Sequence, residues 1–280
     1  MLTFYHPDEL STHIHTLKKE GKRIGFLPTM GALHAGHLSL LKASREACDI
    51  SVCSIFVNPT QFTNPDDLAK YPRNEIVDAL LLEKAGCDVL FLPNQEEIYA
   101  LEKPMNVDLG ALTKRFEGAS RPGHFEGVAR IVRILFDCVE PDKAFFGLKD
   151  YQQCLVIQTL VDQLEMSVEL YFVTTERESD GLAMSSRNQR LNAAQRIEAP
   201  AIYHALLWAK GHLEQHSPKE LESLCIRQIE EHAGLNVDYF SLADAATLEP
   251  IRSIEKGKSV VALTAVFAGD IRLIDNLLLK

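Results

Sequence analysis

The chain has no Cys-x-x-Cys pair, no excess of basic residues, no internal repeat or low-complexity segment, and no apolar run that approaches membrane-spanning length. Each absence removes a class of protein. Lys and Arg number 29 against 39 Asp and Glu, a net charge of −10, and such a field repels bulk nucleic acid and anionic membrane. Cations that serve a phosphate ligand must therefore be concentrated locally. The six cysteines (Cys48, Cys53, Cys87, Cys138, Cys154, Cys225) are scattered, most of them inside apolar periodic segments. That pattern reads as buried thiols in a reducing compartment. The N-terminus carries early acids and no signal-type apolar stretch, so a cytoplasmic protein is expected. His6, His13 and His15 show no metal spacing and are assigned to surface or N-terminal structure. The one tryptophan, Trp208, lies in an apolar helical pattern and reads as core.

What is present is an ordinary globular composition, 46% hydrophobic and 24% charged over 280 residues, enough for one large or two modest domains. Strand-like runs at 23–28, 50–57, 87–92, 143–146 and 167–173 alternate with helical patterns near 37–48, 66–85, 126–139 and 150–164. Continuous apolar strands separated by helices imply an α/β fold, a Rossmann-like parallel sheet covered on both faces. Ligands of such sheets bind beyond the carboxyl ends of the strands. Past residue 180 a helical stretch from Ala193 to Gln215 and a second after Ser217-Pro218 precede strand-like runs Val237–Ala243, Ser259–Phe267 and Arg272–Leu278. These predict a smaller α+β domain with an antiparallel sheet. The boundary is expected within Thr174–Ser186, dividing the chain into residues 1–177 and 178–280.

The most informative segment is Phe26-Leu27-Pro28-Thr29-Met30-Gly31-Ala32-Leu33-His34-Ala35-Gly36-His37-Leu38, an apolar run, a turn, and the start of an amphipathic helix. A helix N-terminus offers N–H donors and positive dipole density to a phosphate. Histidines three apart share one helical face, so both can address one anion. The bland readings are weighed beside this one: His-x-x-His alone is a weak motif. Zinc would want a third ligand, which is missing nearby. A P-loop reading fails because His37 and Leu38 stand where Lys and Ser/Thr are needed.

Four further segments follow strands or bound the domains. Asn58-Pro59 ends the second strand and presents Gln61, either to a cleft or as a solvated turn residue. Glu117–Gly127 gathers three glycines with Arg121 and His124, as a loop over a ligand or simply a helix entry. Gly147-Leu148-Lys149-Asp150 offers a close backbone approach, a point charge for phosphate and an N-cap, with Gln153 one turn on; a capped helix with an exposed lysine is the alternative. Met184-Ser185-Ser186-Arg187-Asn188 places two hydroxyls and a guanidinium on a hinge, suited to β/γ-phosphate, or merely leads into the next helix.

Taken together and in this order, these segments resemble the pantoate–β-alanine ligase family, and Asp244–Pro250 and Arg272–Asn276 extend the likeness over nearly the whole chain. The resemblance implies a HIGH-motif nucleotidylyltransferase-type domain with a smaller C-terminal lid. It implies condensation of (R)-pantoate with β-alanine through a pantoyl-adenylate, with ATP as co-substrate, Mg²⁺ as cofactor and release of AMP and pyrophosphate, in a cytoplasmic homodimer. By position, ATP would be bound by Met30, Gly31, Ala32, Leu33, His34, Ala35, Gly36 and His37, by Gly147, Leu148, Lys149 and Asp150, and by Glu176, Met184, Ser185, Ser186 and Arg187. His34, His37 and Lys149 would be catalytic, His37 as proton donor. Gln61 and Gln153 would hold pantoate, with Met30 lining its pocket; direct protein ligands of the metal are not implied. Two departures stand out. Leu148 replaces the glutamate of the family's Gly-Glu-Lys-Asp, and Thr174-Thr175-Glu176-Arg177-Glu178 replaces Pro-Thr-Val-Arg-Glu. Neither removes a reacting group, and Glu176 is expected to keep a backbone contact to adenine while changing nucleotide affinity.

Three rivals are discriminated by chemistry. A nucleotidylyltransferase acting on a phosphorylated substrate would want extra cations where Gln61 and Gln153 stand. A silent nucleotide-binding regulator would have no reason to keep Lys149 with both histidines. An aminoacyl-tRNA synthetase would need a basic nucleic-acid-reading surface.

Overall fold

The computed structural model describes residues 1–63 and 65–280. By packing, the chain divides into two units, Met1–Leu148 with Gln152–Thr174, and Lys149–Tyr151 with Thr175–Lys280.

The first unit runs β1 (Leu2–Phe4), α1 (Pro7–Lys19), β2 (Ile24–Thr29), α2 (Ala35–Ala47), β3 (Ile50–Ile55), α3 (Pro65–Lys70), α4 (Glu75–Lys84), β4 (Val89–Phe91), α5 (Gln95–Ala100), α6 (Phe116–Ser120), α7 (His124–Val139), β5 (Lys143–Gly147), α8 (Tyr151–Gln163) and β6 (Glu169–Val173). Its six strands form an all-parallel sheet in the order β1-β4-β3-β2-β5-β6. One face packs on α1, α7 and α8 through Phe26, Phe91, Phe136, Phe146 and Ile157. The other packs on α2 and α4 through Leu27, Leu41, Leu82 and Phe145. Burial on both faces explains why the strands read as unbroken apolar runs. α2 lies close on β2 at Gly25, where a Cβ would stand 2.3 Å from Ser44 Oγ.

β2 is the pivot of the sheet. The strands that follow it lie to one side as β3 and β4, then to the other as β5 and β6. Parallel sheets of this kind open a crevice at such a switch point, beyond the carboxyl ends of the two strands. Here β2 pairs with β3 over six residues but with β5 only at Gly25 and Phe26. Pro28 lies past that short ladder, and having no N–H it forfeits no bond to β5. The ladder between β2 and β5 thus stops short of the carboxyl ends of both strands.

The second unit holds α9 (Ala193–Glu198), α10 (Ala201–His212), α11 (Pro218–Glu230), β7 (Leu235–Asp244), β8 (Val260–Ala268) and β9 (Ile271–Leu278). Its sheet is antiparallel, β7-β8-β9, and α10 and α11 bury Leu206, Leu221, Cys225 and Ile229 against it. Ser217 and Glu220 form the reciprocal cap expected of the Ser-Pro helix start.

Two helical expectations change in detail. The pattern at 66–85 is two helices, parted around Pro72, and the pattern from Ala193 parts at Pro200, each where a proline disfavours a continuous helix. β1 and α1 lie outside the patterns read from the sequence, although Leu10, Ile14 and Leu17 of α1 recur at helical spacing and face the first core; β1 is a three-residue strand at the sheet edge beside β4. Trp208 packs against the second core and also stacks on His212, with ring centroids 4.2 Å apart.

Candidate active site

In the first unit the chain leaves β2 at Thr29 and turns through Gly31 (φ +80°) and Ala32 (φ +51°), both left-handed. Gly adopts this region without strain and Ala does not. The turn delivers His34 in extended geometry as the N-cap of α2. Its Nδ1 accepts the Gly36 N–H at 3.1 Å, and His37 Nδ1 accepts the His34 N–H at 3.3 Å. The rings lie 4.1 Å apart, centroid to centroid. Histidine is an uncommon cap, and this reciprocal arrangement has a chemical consequence. A neutral imidazole whose Nδ1 accepts a backbone N–H carries its proton on Nε2. Both rings at this helix N-terminus therefore present Nε2–H donors.

Beyond β3, Pro59–Gln61 form one turn of 3₁₀ helix capped by Asn58. Gln61 is only 7% exposed, so the solvated-turn reading does not hold. Its Oε1 accepts from Asn58 Nδ2 at 3.0 Å, and its Nε2 points at Met30 Sδ, 2.9 Å away. The structure thus joins Gln61 to Met30. The segment 117–127 is no open loop: α6 and α7 flank a short turn, and its Arg121 and His124 grip the Gln61 backbone. His124, buried, meets the Gln61 carbonyl through Nδ1 at 2.7 Å, and Arg121 donates to the same oxygen at 3.3 Å. Gly127 allows the close fit, since a Cβ there would lie 2.5 Å from the Thr60 carbonyl oxygen. Asn58, Arg121 and His124 thus position Gln61, a role that loop composition did not reveal.

β5 ends at Gly147, where an added Cβ would meet nothing within 4 Å. The chain's own packing does not demand glycine there; the space beside it is open. Leu148 packs on the first core. On α8, half-buried Gln153 follows Gln152, which is wholly occupied: its Oε1 accepts from Glu117 N–H at 3.1 Å, and its Nε2 donates to the carbonyls of Leu112 and Arg115 at 2.7 and 2.9 Å. Adjacent helical residues point about 100° apart, so Gln153 is directed away from the partners that hold Gln152.

The second unit carries the remaining candidates. Lys149 is largely buried and lies 3.6 Å from the Asp150 carboxylate; its carbonyl accepts from Asn276 Nδ2 at 2.8 Å. Glu176 begins an irregular hairpin: its carbonyl accepts from Met184 N–H at 3.0 Å, and Arg177 bridges Ala183. Gly181, at φ +95°, forms the tip. Arg177 anchors the hairpin, bidentate to buried Asp275 at 2.6 and 3.0 Å, with its guanidinium 3.7 Å from the Tyr203 ring centre. Ser185 caps the 3₁₀ turn Ser186–Arg190 by accepting the Arg187 N–H at 3.2 Å.

No thiol is poised as a nucleophile. All six cysteines are buried, and burial pushes Cys87 up to about 11 and Cys138 and Cys225 up to about 12. Among the described residues, no group of three or more His, Cys, Asp or Glu could hold a metal ion, and no helix is long and apolar enough to cross a membrane.

A parallel sheet with a histidine-capped helix following its pivotal strand defines the HIGH-motif class of nucleotide-handling α/β enzymes. The comparisons narrow that class. The profile of the family described as pantoate-beta-alanine ligase matches residues 3–278. A pantothenate synthetase of Bacteroides thetaiotaomicron is 43% identical over 272 residues, covering 97% of this chain and 96% of its own. One of Fervidobacterium nodosum is 47% identical, with 93% of each chain covered. The crystal structure of pantothenate synthetase from Thermus thermophilus superposes with a TM-score of 0.92 at 39% identity, over all of both chains. That of the Francisella tularensis pantoate-beta-alanine ligase, complexed with beta-gamma ATP and beta-alanine, gives 0.82 at 31%, covering 100% of this chain and 98% of that one. The chain belongs to the pantoate–β-alanine ligase family.

Proposed function

We propose that the chain joins pantoate to β-alanine in two steps, with ATP as co-substrate. A pantoate carboxylate oxygen attacks the α-phosphorus and pyrophosphate leaves, giving pantoyl-adenylate. The β-alanine amine then attacks the acyl carbon, AMP leaves with the bridging oxygen, and the amide loses a proton. The observation that carries this reading is the mutual capping by His34 and His37, which fixes two Nε2–H donors at a helix N-terminus. Donors held in place before the reaction stabilise charge that grows on the leaving pyrophosphate, at about 10²–10³-fold each. Lys149 and Arg187 add cationic charge toward the phosphates, Ser185 and Ser186 add hydroxyls, and Gly147 and Glu176 serve the nucleoside. The route needs no covalent enzyme nucleophile, in keeping with six buried thiols.

Gln61 and Gln153 take pantoate, with Met30 beside them. The Gln61 amide faces a thioether, a weak acceptor. Exchanging sulfur for a pantoate hydroxyl or carboxylate oxygen is favourable, and the Asn58, Arg121 and His124 bonds hold Gln61 ready for it.

Mg²⁺ fits this chain as an ion carried chiefly on the phosphates of ATP, since the described residues offer no cluster of three ligands. Bound there it would offset phosphate charge. The proposal includes a cytoplasmic homodimer, supported by the family likeness and by α4, which exposes Ile76, Val77 and Leu80, apolar surface of the kind a second copy covers.

The deciding experiment is exchange of labelled pyrophosphate into ATP with pantoate present and β-alanine omitted. Exchange, together with AMP as the sole nucleotide product of full turnover, supports the route. ADP formation, or exchange that requires β-alanine, refutes it. Sedimentation at micromolar concentration tests the dimer, and a single 31.3 kDa species would remove it.

A further inference from the structure

The turn that delivers His34 is gripped by one buried carboxylate from elsewhere in the chain. Asp78, on α4, is 3% exposed. Its Oδ2 accepts the Ala32 N–H and its Oδ1 the Leu33 N–H, each at 2.8 Å. Thr29 Oγ1 accepts the N–H before them, from Gly31, at 3.2 Å, and donates to the Ser54 carbonyl at 2.8 Å. Three successive backbone donors between β2 and α2 are thus bonded to buried side-chain oxygens. Asp78 Oδ2 also stands 3.0 Å from where a Cβ on Gly31 would be, so a side chain there would crowd the carboxylate in addition to straining the φ of +80°.

The reason for the grip lies in the conformation it holds. Ala32 is a left-handed residue with a side chain, which an unsupported loop would abandon. The path through it determines where His34 meets α2, and so where both Nε2–H donors lie. Charge-assisted bonds in a buried setting are the strong ones, and a carboxylate can hold two neighbouring N–H groups at once. We infer that Asp78 is a positioning residue for the adenylation step, clamping the Gly31–Leu33 turn so that His34 and His37 are set before ATP arrives. The inference rests on the reading that those histidines receive the phosphates.

Asp78→Asn keeps the shape but offers one acceptor and one NH₂ group, which opposes a backbone N–H. Expected is a fall of about 10²-fold in the maximal exchange rate, with the KM values for ATP and pantoate changing less than about threefold. In spectra of ring-labelled protein, the His34 and His37 resonances should move while those of His6 and His15 stay. Adding Ala32→Gly to Asp78→Asn should restore about tenfold, because glycine takes the left-handed turn unaided; a bystander carboxylate gives no such rescue. Unmoved imidazoles or no rescue would overturn the inference. If Asp78→Asn does not fold, the wild-type protein decides: Ala32 and Leu33 amides that exchange with solvent as fast as an open loop would rule the clamp out, and protected ones support it. His37→Ala separates the two ideas. Wild-type exchange by that variant sinks the phosphate reading, whereas unmoved rings in Asp78→Asn sink only the clamp.

Discussion

Replacing His34 by asparagine separates what that residue does for the fold from what it does for chemistry. His34 Nδ1 is the N-cap acceptor for Gly36 N–H at 3.1 Å, and Nε2–H is the donor assigned to phosphate. Asparagine ranks among the best N-caps, so its Oδ1 replaces Nδ1 at little or no cost, while nothing replaces Nε2–H. Alanine loses both. Loss of a cap costs about 1 kcal/mol, which is about 2–4 °C in melting temperature for a chain of a few hundred residues. His34→Asn should therefore melt with the wild type and His34→Ala a few degrees lower. Both should lose about 10²–10³-fold in pantoate-dependent pyrophosphate exchange, the usual effect of removing one preorganised donor. Circular-dichroism melts and the exchange assay on the three proteins complete the comparison. Near-wild-type exchange by His34→Asn would show that the imidazole acts only as a cap. A common drop in melting temperature for both variants would show that the capping geometry is misjudged.

Gln152→Ala should destabilise the fold by about 3 kcal/mol, since it strands one N–H and two carbonyls at 1–3 kcal/mol for each buried group left unpaired. Gln153→Ala should leave unfolding within about 0.5 kcal/mol and raise the KM for pantoate far more than that for ATP; urea unfolding and steady-state kinetics distinguish the two. Because burial raises Cys87 to about 11 and Cys138 and Cys225 to about 12, a disulfide reagent at pH 8 should modify none of these thiols until denaturant is added. Rapid reaction of any of the three in the native protein would contradict their burial. The hydrogen bond between His6 and Glu97, 2.9 Å, holds the histidine above and the glutamate below their ordinary ranges. Its contribution is present between the lowered carboxyl and the raised imidazole pKa; it fades as pH rises through the latter or falls through the former. Melting curves of His6→Gln and wild type should converge on both sides of that window, and a difference persisting at alkaline pH would refute the pairing.

Much of this protein follows from its sequence alone, because the signals involved are local. Apolar runs mark the five parallel strands from β2 to β6, Ser217-Pro218 marks a helix start, and the three-residue spacing of His34 and His37 sets both rings on one helical turn. The order of the segments along the chain carries the family likeness. Tertiary structure decided what depends on groups distant in sequence. Periodicity does not distinguish Gln152 from Gln153; only the carbonyls of Leu112 and Arg115 do, by occupying the first. His124 looked like a loop cation and is instead buried against the carbonyl of Gln61, 63 residues earlier. Pro28 reads as turn punctuation, yet it lies inside β2, opposite Ser54 of β3 and past the end of the short β2–β5 ladder. Asp78 carries no signal in the sequence, since a carboxylate in the first turn of a helix looks solvated until the fold brings the Ala32 and Leu33 amides, 46 and 45 residues away, to its two oxygens. Hydrophobic periodicity reports which side of an element faces the core; it does not report which polar group waits there.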